Sequence, residues 1–128
     1  MSDKFKAEII SPDKSILKTD TNEVVLPSYE GEIGILKDHG PLITFLRPGK
    51  IFFKDIQKNF YVEDGTVEFS NNNLLILTST AKDLSEVDRK FLEISLSEAE
   101  KKITNSDITD KERYILSYKI ETLKNINL

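Results

Sequence analysis

Residues 29–43 read YEGEIGILKDHGPLI and hold three of the chain's five glycines, its single histidine and one of its four prolines. So dense a set of turn formers around one imidazole is either an active site or a shaped surface for docking. His39 lies just before Gly40-Pro41, where the chain turns sharply, and the residue before a proline avoids the helical region. Histidines in such turns cap or hydrogen-bond backbone. Neighbouring Asp38 is no natural partner for it, because adjacent side chains in extended chain point apart. The glycines of EGEIG lack the lysine and Ser/Thr of a phosphate-binding loop, and no nucleophile elbow or HExxH helix accompanies them. Gly31 and Gly34 are therefore expected to supply positive φ or close approach of a neighbouring strand. Glu30 and Glu32 face solvent or, at a loop tip, a polar partner. The stretch predicts turn or interface roles, with no catalytic residue and no metal ligand.

Outward from this stretch, short strand-like runs are separated by turns. FKAEII ends at Ser11-Pro12-Asp13-Lys14, where proline presets φ. SILKT, EVVLP, LITFL, KIFFKD, NFYVED, TVEFS and LLILTST follow. Asp64-Gly65 predicts a type I′ hairpin turn, since glycine adopts positive φ freely. Asn71-Asn72-Asn73 predicts another turn. About nine short strands at this spacing indicate an antiparallel β-sandwich or barrel. Phe52-Phe53 and Phe60-Tyr61 put adjacent aromatics on opposite sheet faces, so one aromatic face outside the core should be covered.

Every glycine and proline lies at or before Gly65, and helix grammar begins at AKDLSEVDRK, residues 81–90. Ser85 with Asp88 resembles a helix N-cap. Leu92, Leu96, Ala99 and Ile103 then form an apolar stripe at helical spacing. Thr109-Asp110-Lys111-Glu112 is a full capping box. Leu116, Ile120 and Leu123 continue from it, and Tyr114 and Tyr118 stand one turn apart. The expected fold class is α+β: an N-terminal antiparallel β-sandwich over residues 1–82, a docking domain, then an antiparallel two-helix hairpin over residues 83–128. Helices this short are marginal alone in water, so the hairpin needs a surface, either the sandwich or another protein.

At 128 residues the chain suits one compact domain, or a small domain with an appendage. It has no cysteine, which excludes disulfides and thiolate chemistry, and one histidine cannot build a multi-histidine zinc centre. A net charge of −4 without a clustered basic face argues against nucleic acid. No stretch reaches the roughly 20 apolar residues of a membrane span. The start MSDKFKAEII has neither an apolar h-region nor a transit-peptide pattern. The expected protein stays in the compartment where it is made and meets membranes only through a partner.

Residues 27–49, PSYEGEIGILKDHGPLITFLRPG, resemble the epsilon subunit of bacterial and plastid F-type ATP synthases, called delta in mitochondria. The family pattern Glu-Gly-x-x-Gly-Ile-Leu-Pro-x-His-x-Pro-Leu, with Pro-Gly further on, meets Glu30, Gly31, Gly34, Ile35, Leu36, His39, Pro41, Leu42, Pro48 and Gly49. Lys37 replaces the usual proline and Gly40 a frequent alanine. The likeness runs from EIISPDKSI through the strand-then-hairpin order. It implies a non-catalytic central-stalk subunit touching gamma and the polar loops of the c-ring, and by position Glu30, Glu32 and His39 look like ring contacts. Gly31, Gly34, Pro41 and Gly49 would shape the motif turn. It further implies a hairpin that permits rotation when folded and hinders ATP hydrolysis when extended into the alpha/beta hexamer, with Lys111, Arg113, Lys119 and Lys124 as its basic residues. An ATP-binding pattern known in some members is not matched, because LSEVDR puts Ser85 and Asp88 at its aspartate and arginine positions. No cofactor is expected. The implied place is the cytoplasmic face of the bacterial inner membrane, with a plastid thylakoid as the other option. A free-standing ligand-binding sandwich with a helical lid is the alternative reading, and a small hydrolase using His39 a remote third.

Overall fold

The computed structural model describes residues 3–126. Ten strands precede two helices: β1 (Phe5–Ile10), β2 (Ser15–Thr21), β3 (Glu23–Ser28), β4 (Gly31–Leu36), β5 (Leu42–Leu46), β6 (Gly49–Phe53), β7 (Lys58–Val62), β8 (Gly65–Ser70), β9 (Asn73–Leu77), β10 (Lys82–Asp83), α1 (Arg89–Ile103) and α2 (Asp110–Lys124). The strands run in the order β10-β7-β6-β3-β5-β8-β9-β1-β2, with β4 on the other edge of β3. A single pair, Ser28 with Leu46, joins β3 to β5, so the ribbon folds there into two layers. Pairing is antiparallel except between β1 and β9, which run parallel. The expected division at residues 82 and 83 falls inside β10, whose two residues pair with Tyr61 and Phe60.

Strand alternation builds the core. Phe5, Ala7 and Ile9 of β1, Val67 and Phe69 of β8, and Leu74 and Ile76 of β9 point inward from one layer. Val24 and Leu26 of β3, Ile51 and Phe53 of β6, and Phe60 and Val62 of β7 meet them from the other. Each such large side chain contributes about 1.5–3 kcal/mol by leaving water. Phe5 meets Phe69, and Phe53 meets Phe60, edge to face at 5.5 and 5.8 Å.

The turns divide into those the residues foretell and one they misplace. Ser11-Pro12-Asp13-Lys14 closes β1 onto β2, the Ser11 amide donating to the Lys14 carbonyl at 2.9 Å. Asn71 and Asn72 take φ of 50° and 59° between paired Ser70 and Asn73, and positive φ at both central residues makes this the type I′ hairpin. Asp64-Gly65 is not a hairpin, contrary to expectation. β7 pairs with β6 and β10, whereas β8 pairs with β5 and β9, so the chain crosses between layers here. The crossing is tied down by the Thr78 hydroxyl donating to the Asp64 carbonyl at 2.7 Å and the Glu63 amide donating to Thr80 Oγ1 at 2.9 Å.

Helix entry also differs from expectation. Leu84–Glu86 form one 3₁₀ turn capped by Asp83, which accepts from the Ser85 amide and hydroxyl at 2.9 and 2.7 Å. The true N-cap of α1 is Asp88, accepting from the Phe91 amide at 2.8 Å. Ser85 cannot cap α1 because Val87 is extended and separates the two turns. The Thr109–Glu112 capping box opens α2 as the residues foretell. Arg113 reaches back to the carbonyls of Ile103 and Asn105, satisfying groups left open where α1 ends.

Burial would push the Asp83 carboxyl up, but the Lys58 ammonium at 2.9 Å and the Ser85 donors outweigh it, and its pKa lies below the ordinary value. A lowered carboxyl contributes stability above its unfolded pKa, about 3.9, and loses it as pH falls through the lower folded value. The Asp83 carboxyl carbon should therefore titrate by NMR below an unfolded-chain aspartate. Lys58→Met should raise that midpoint; an unmoved midpoint would remove Lys58 as a cause.

Candidate functional site

The two outer sheet faces have opposite fates. On the layer carrying β6 and β7, Tyr61 points away from the sandwich core yet is fully buried, because the hairpin lies over it. Leu123, Ile126, Phe91, Leu92 and Leu96 pack around its ring. Its hydroxyl donates to Glu63 Oε2 at 3.0 Å, and Lys119 of α2 meets the same oxygen at 3.3 Å. Burial first, then the Glu63 charge and hydrogen bond, push the Tyr61 phenol well up, so it stays a protonated donor. The aromatic face expected to be covered is covered, and its cover is the chain's own hairpin.

The other layer is bare. Ile43 and Phe45 of β5 are 75% and 61% exposed, and Leu77 of β9 is 44% exposed. Strand register places Phe45, Thr66, Leu77 and Ile10 in one row across β5, β8, β9 and β1. Ile43, Glu68 and Leu75 make the adjacent row. Directly paired residues share a face, so Ile10, Ile43, Phe45, Leu75 and Leu77 all stand on this outer face, with exposed Thr66 and Glu68 of β8 between them. Inspection of the aromatic pairs overlooks it. Its signal is LITFL, where an ordinary half-buried strand would alternate with polar residues and this one is apolar on both faces.

The opening stretch frames β4. Tyr29-Glu30 form the tight turn from β3, with Ser28 Oγ accepting from the Glu30 amide at 3.1 Å and donating to the Gly31 carbonyl at 2.8 Å. Gly31 takes φ of +113°, which favours glycine. Gly34 has ordinary φ and open space, so nothing in the backbone explains it. Gly49 is explained by packing: a Cβ there would lie 2.5 Å from Pro27 Cβ. Beyond β4, Asp38 takes φ of 66° and is clasped by Asn72, whose Oδ1 accepts from the Asp38 amide at 2.6 Å while its Nδ2 donates to the carboxylate at 2.9 Å. The motif turn is thereby pinned to the β8–β9 hairpin. His39 is exposed with Nδ1 2.8 Å from the Gly40 carbonyl, its ring edge-on to Phe69 at 5.8 Å. Pro41 is exposed on the same turn. A carboxylate held by asparagine and an imidazole turned to backbone leave no general-base pair here.

Residues 4–83 match the family model described as ATP synthase, Delta/Epsilon chain, beta-sandwich domain. The chain belongs to this family. The ATP synthase epsilon chain of Pelagibacter ubique is 51% identical over 99% of this chain and the whole of its own length. That of Lawsonia intracellularis is 41% identical over 69% of this chain and 68% of its own. In fold the chain resembles one in the Euglena gracilis mitochondrial ATP synthase OSCP/F1/c-ring structure, with TM-score 0.79, 22% identity and coverage of 97% and 81%. A second resemblance is to a chain of the Tetrahymena thermophila mitochondrial ATP synthase central stalk/c-ring, with TM-score 0.67, 16% identity and coverage of 93% and 92%.

Against the expectations this delta/epsilon family raised, the structure gathers some residues and separates others. Glu30 and Glu32 are exposed beside the β3–β4 turn, while His39 lies beyond the far end of β4. The six residues of β4, about 20 Å of strand, come between Glu30 and His39. Of the hairpin cations, Lys119 is held by Glu63 and Arg113 by the end of α1, whereas Lys111 and Lys124 are exposed. At the departure from the expected nucleotide pattern, the Ser85 hydroxyl donates to Asp83 and Asp88 caps α1. No described helix is long and apolar enough to cross a membrane.

Proposed function

We propose that the chain is the non-catalytic epsilon subunit of a proton-translocating ATP synthase, seated at the foot of the central stalk. The observation that carries this reading is the exposure of Ile43, Phe45 and Leu77 together on one outer sheet face, large apolar side chains of the kind that protein contacts cover. Gamma is its occupant. The β3–β4 turn with Glu30 and Glu32 meets the polar loops of the c-ring, and His39 serves the same docking edge from the far end of β4. The hairpin tunes ATP hydrolysis: docked on Tyr61 it leaves the alpha/beta hexamer free, and released it offers Lys111, Arg113, Lys119 and Lys124 to acidic surfaces of that hexamer. Two packings separated by a few kcal/mol suffice for such a switch. No nucleotide cofactor is assigned, since Ser85 and Asp88 stand where the nucleotide pattern would need an aspartate and an arginine. The place of work is the cytoplasmic face of the bacterial inner membrane, or its thylakoid equivalent.

Full-length chain and purified gamma should associate at micromolar concentration by sedimentation or calorimetry. Deleting residues 84–128 spares β10 and the patch, so that association should persist while inhibition of ATPase activity changes. No binding of gamma by either form would overturn the reading. Loss of binding on truncation alone would make the hairpin structural support and end the switch.

A further inference from the structure

We propose that the β3–β4 turn and the hairpin form a single latch closed through Arg47, so that whatever grips the turn also biases the position of the hairpin. Arg47 Nε donates to the Ser28 carbonyl and Nη1 to the Pro48 carbonyl, both at 3.0 Å. These bonds lie within the sandwich, so the guanidinium is aimed whether or not the hairpin is present. Its carbon sits 4.4 Å from the centre of the Tyr118 ring on α2, a cation–π contact. Tyr29, the first residue of the turn, meets Tyr118 edge to face and stacks on Tyr114, each at 6.4 Å. The hydroxyls of Tyr114 and Tyr118 share a hydrogen bond of 2.8 Å. One helical turn further on, Thr122 donates to the same Pro48 carbonyl at 3.3 Å.

Tyr114, Tyr118 and Thr122 recur every four residues and so form one stripe of α2 laid along the turn. This attachment differs in kind from the apolar packing over Tyr61. It runs through Tyr29, next to Glu30, and Ser28, whose hydroxyl organises the turn and whose carbonyl aims Arg47. Releasing the hairpin strips Tyr29 of both ring partners. Equilibrium linkage is reciprocal, so a partner that holds the turn in its latched shape holds the hairpin down by the same factor. That the gripping partner is the c-ring rests on the function proposed above; the latch itself does not.

The chain has no cysteine, so single cysteines at exposed Asp13 and Ser106 can carry a donor and acceptor dye without background. In the isolated full-length chain, Tyr29→Ala and Tyr118→Ala should each raise the undocked fraction about fivefold. The double variant should raise it no more than the larger single effect, because both remove one unit. Amide exchange at residues 30–32 should quicken several-fold in Tyr118→Ala, as the reciprocal linkage requires. Ile94→Ala, on an exposed part of α1, should change neither reading. Unchanged dye distances in both single variants, effects that multiply independently, or unaltered exchange in the turn would each overturn the latch. None of these readings needs the ring, so failure of Glu30→Lys to weaken ring binding would count against the functional assignment alone.

Discussion

Phe45→Asp should weaken binding to gamma about a hundredfold while leaving the chain's own melting temperature almost unchanged. In the free chain Phe45 is 61% exposed on the outer face of β5, so aspartate there displaces no core contact, and surface changes of this kind usually stay within about 0.5 kcal/mol. In the proposed contact Thr66 lies next to it and Leu77 beyond Thr66 in its row, Ile43 stands two residues away on the same face, and aromatic anchors in protein interfaces cost at least about 2 kcal/mol when truncated. A carboxylate adds the penalty of burying a charge without a partner, which brings the total to about 3 kcal/mol or more, or two decades in Kd. Calorimetric titration of gamma into the variant measures it, with thermal unfolding of the variant alone as control. Affinity equal to the parent would show that gamma sits elsewhere. A fallen melting temperature would mean that Phe45 supports the fold and would move the interface argument to Ile43→Asp.

That patch and the covered face together show where residue patterns speak and where they are silent. Alternation within each strand was enough to put Phe53 on the face opposite Phe52 and Phe60 on the face opposite Tyr61, because period two is a local property, but not to say which of each pair faces the core. The Thr109 capping box and the stripe through Leu123 located α2 for the same reason. Strand pairing is not local. Asp64-Gly65 carries the composition of a hairpin turn, yet hydrogen bonds from Thr78 and Glu63 make it a crossing between layers, and nothing within the dipeptide distinguishes the two. The parallel alignment of β1 on β9 depends equally on the whole chain. The motif glycines were legible as special backbone but not as to why. Gly31 needs its φ and Gly49 needs space against Pro27, which only the packed strands reveal. Arg47 drew no notice in the chain's text, since its role arises from Ser28, Pro48 and Tyr118 converging on it from three separate places.

Gly65→Val should be severely damaging to the sandwich, costing about 3–5 kcal/mol through two additive causes, backbone strain and overpacking. Its φ of +145° is open to glycine and strained for any residue with a Cβ, worth about 1–3 kcal/mol. A Cβ would also lie 2.6 Å from the Leu77 carbonyl oxygen and 2.9 Å from Thr78 Cβ. Neither can retreat cheaply. Leu77 pairs with Thr66 in the sheet, and Thr78 holds the crossing through its bond to the Asp64 carbonyl. Gly31→Ala separates the two causes, because Gly31 also has positive φ but a Cβ there meets nothing within 4 Å. Strain alone should then cost about 1–3 kcal/mol. Urea unfolding followed by far-ultraviolet circular dichroism gives both values. Against a typical stability of 5–15 kcal/mol, the valine variant should lose a large part of its margin and the alanine variant much less. Equal losses at the two glycines would mean that the layer crossing at Gly65 tolerates a side chain and that the tight contact with Leu77 and Thr78 does not constrain it.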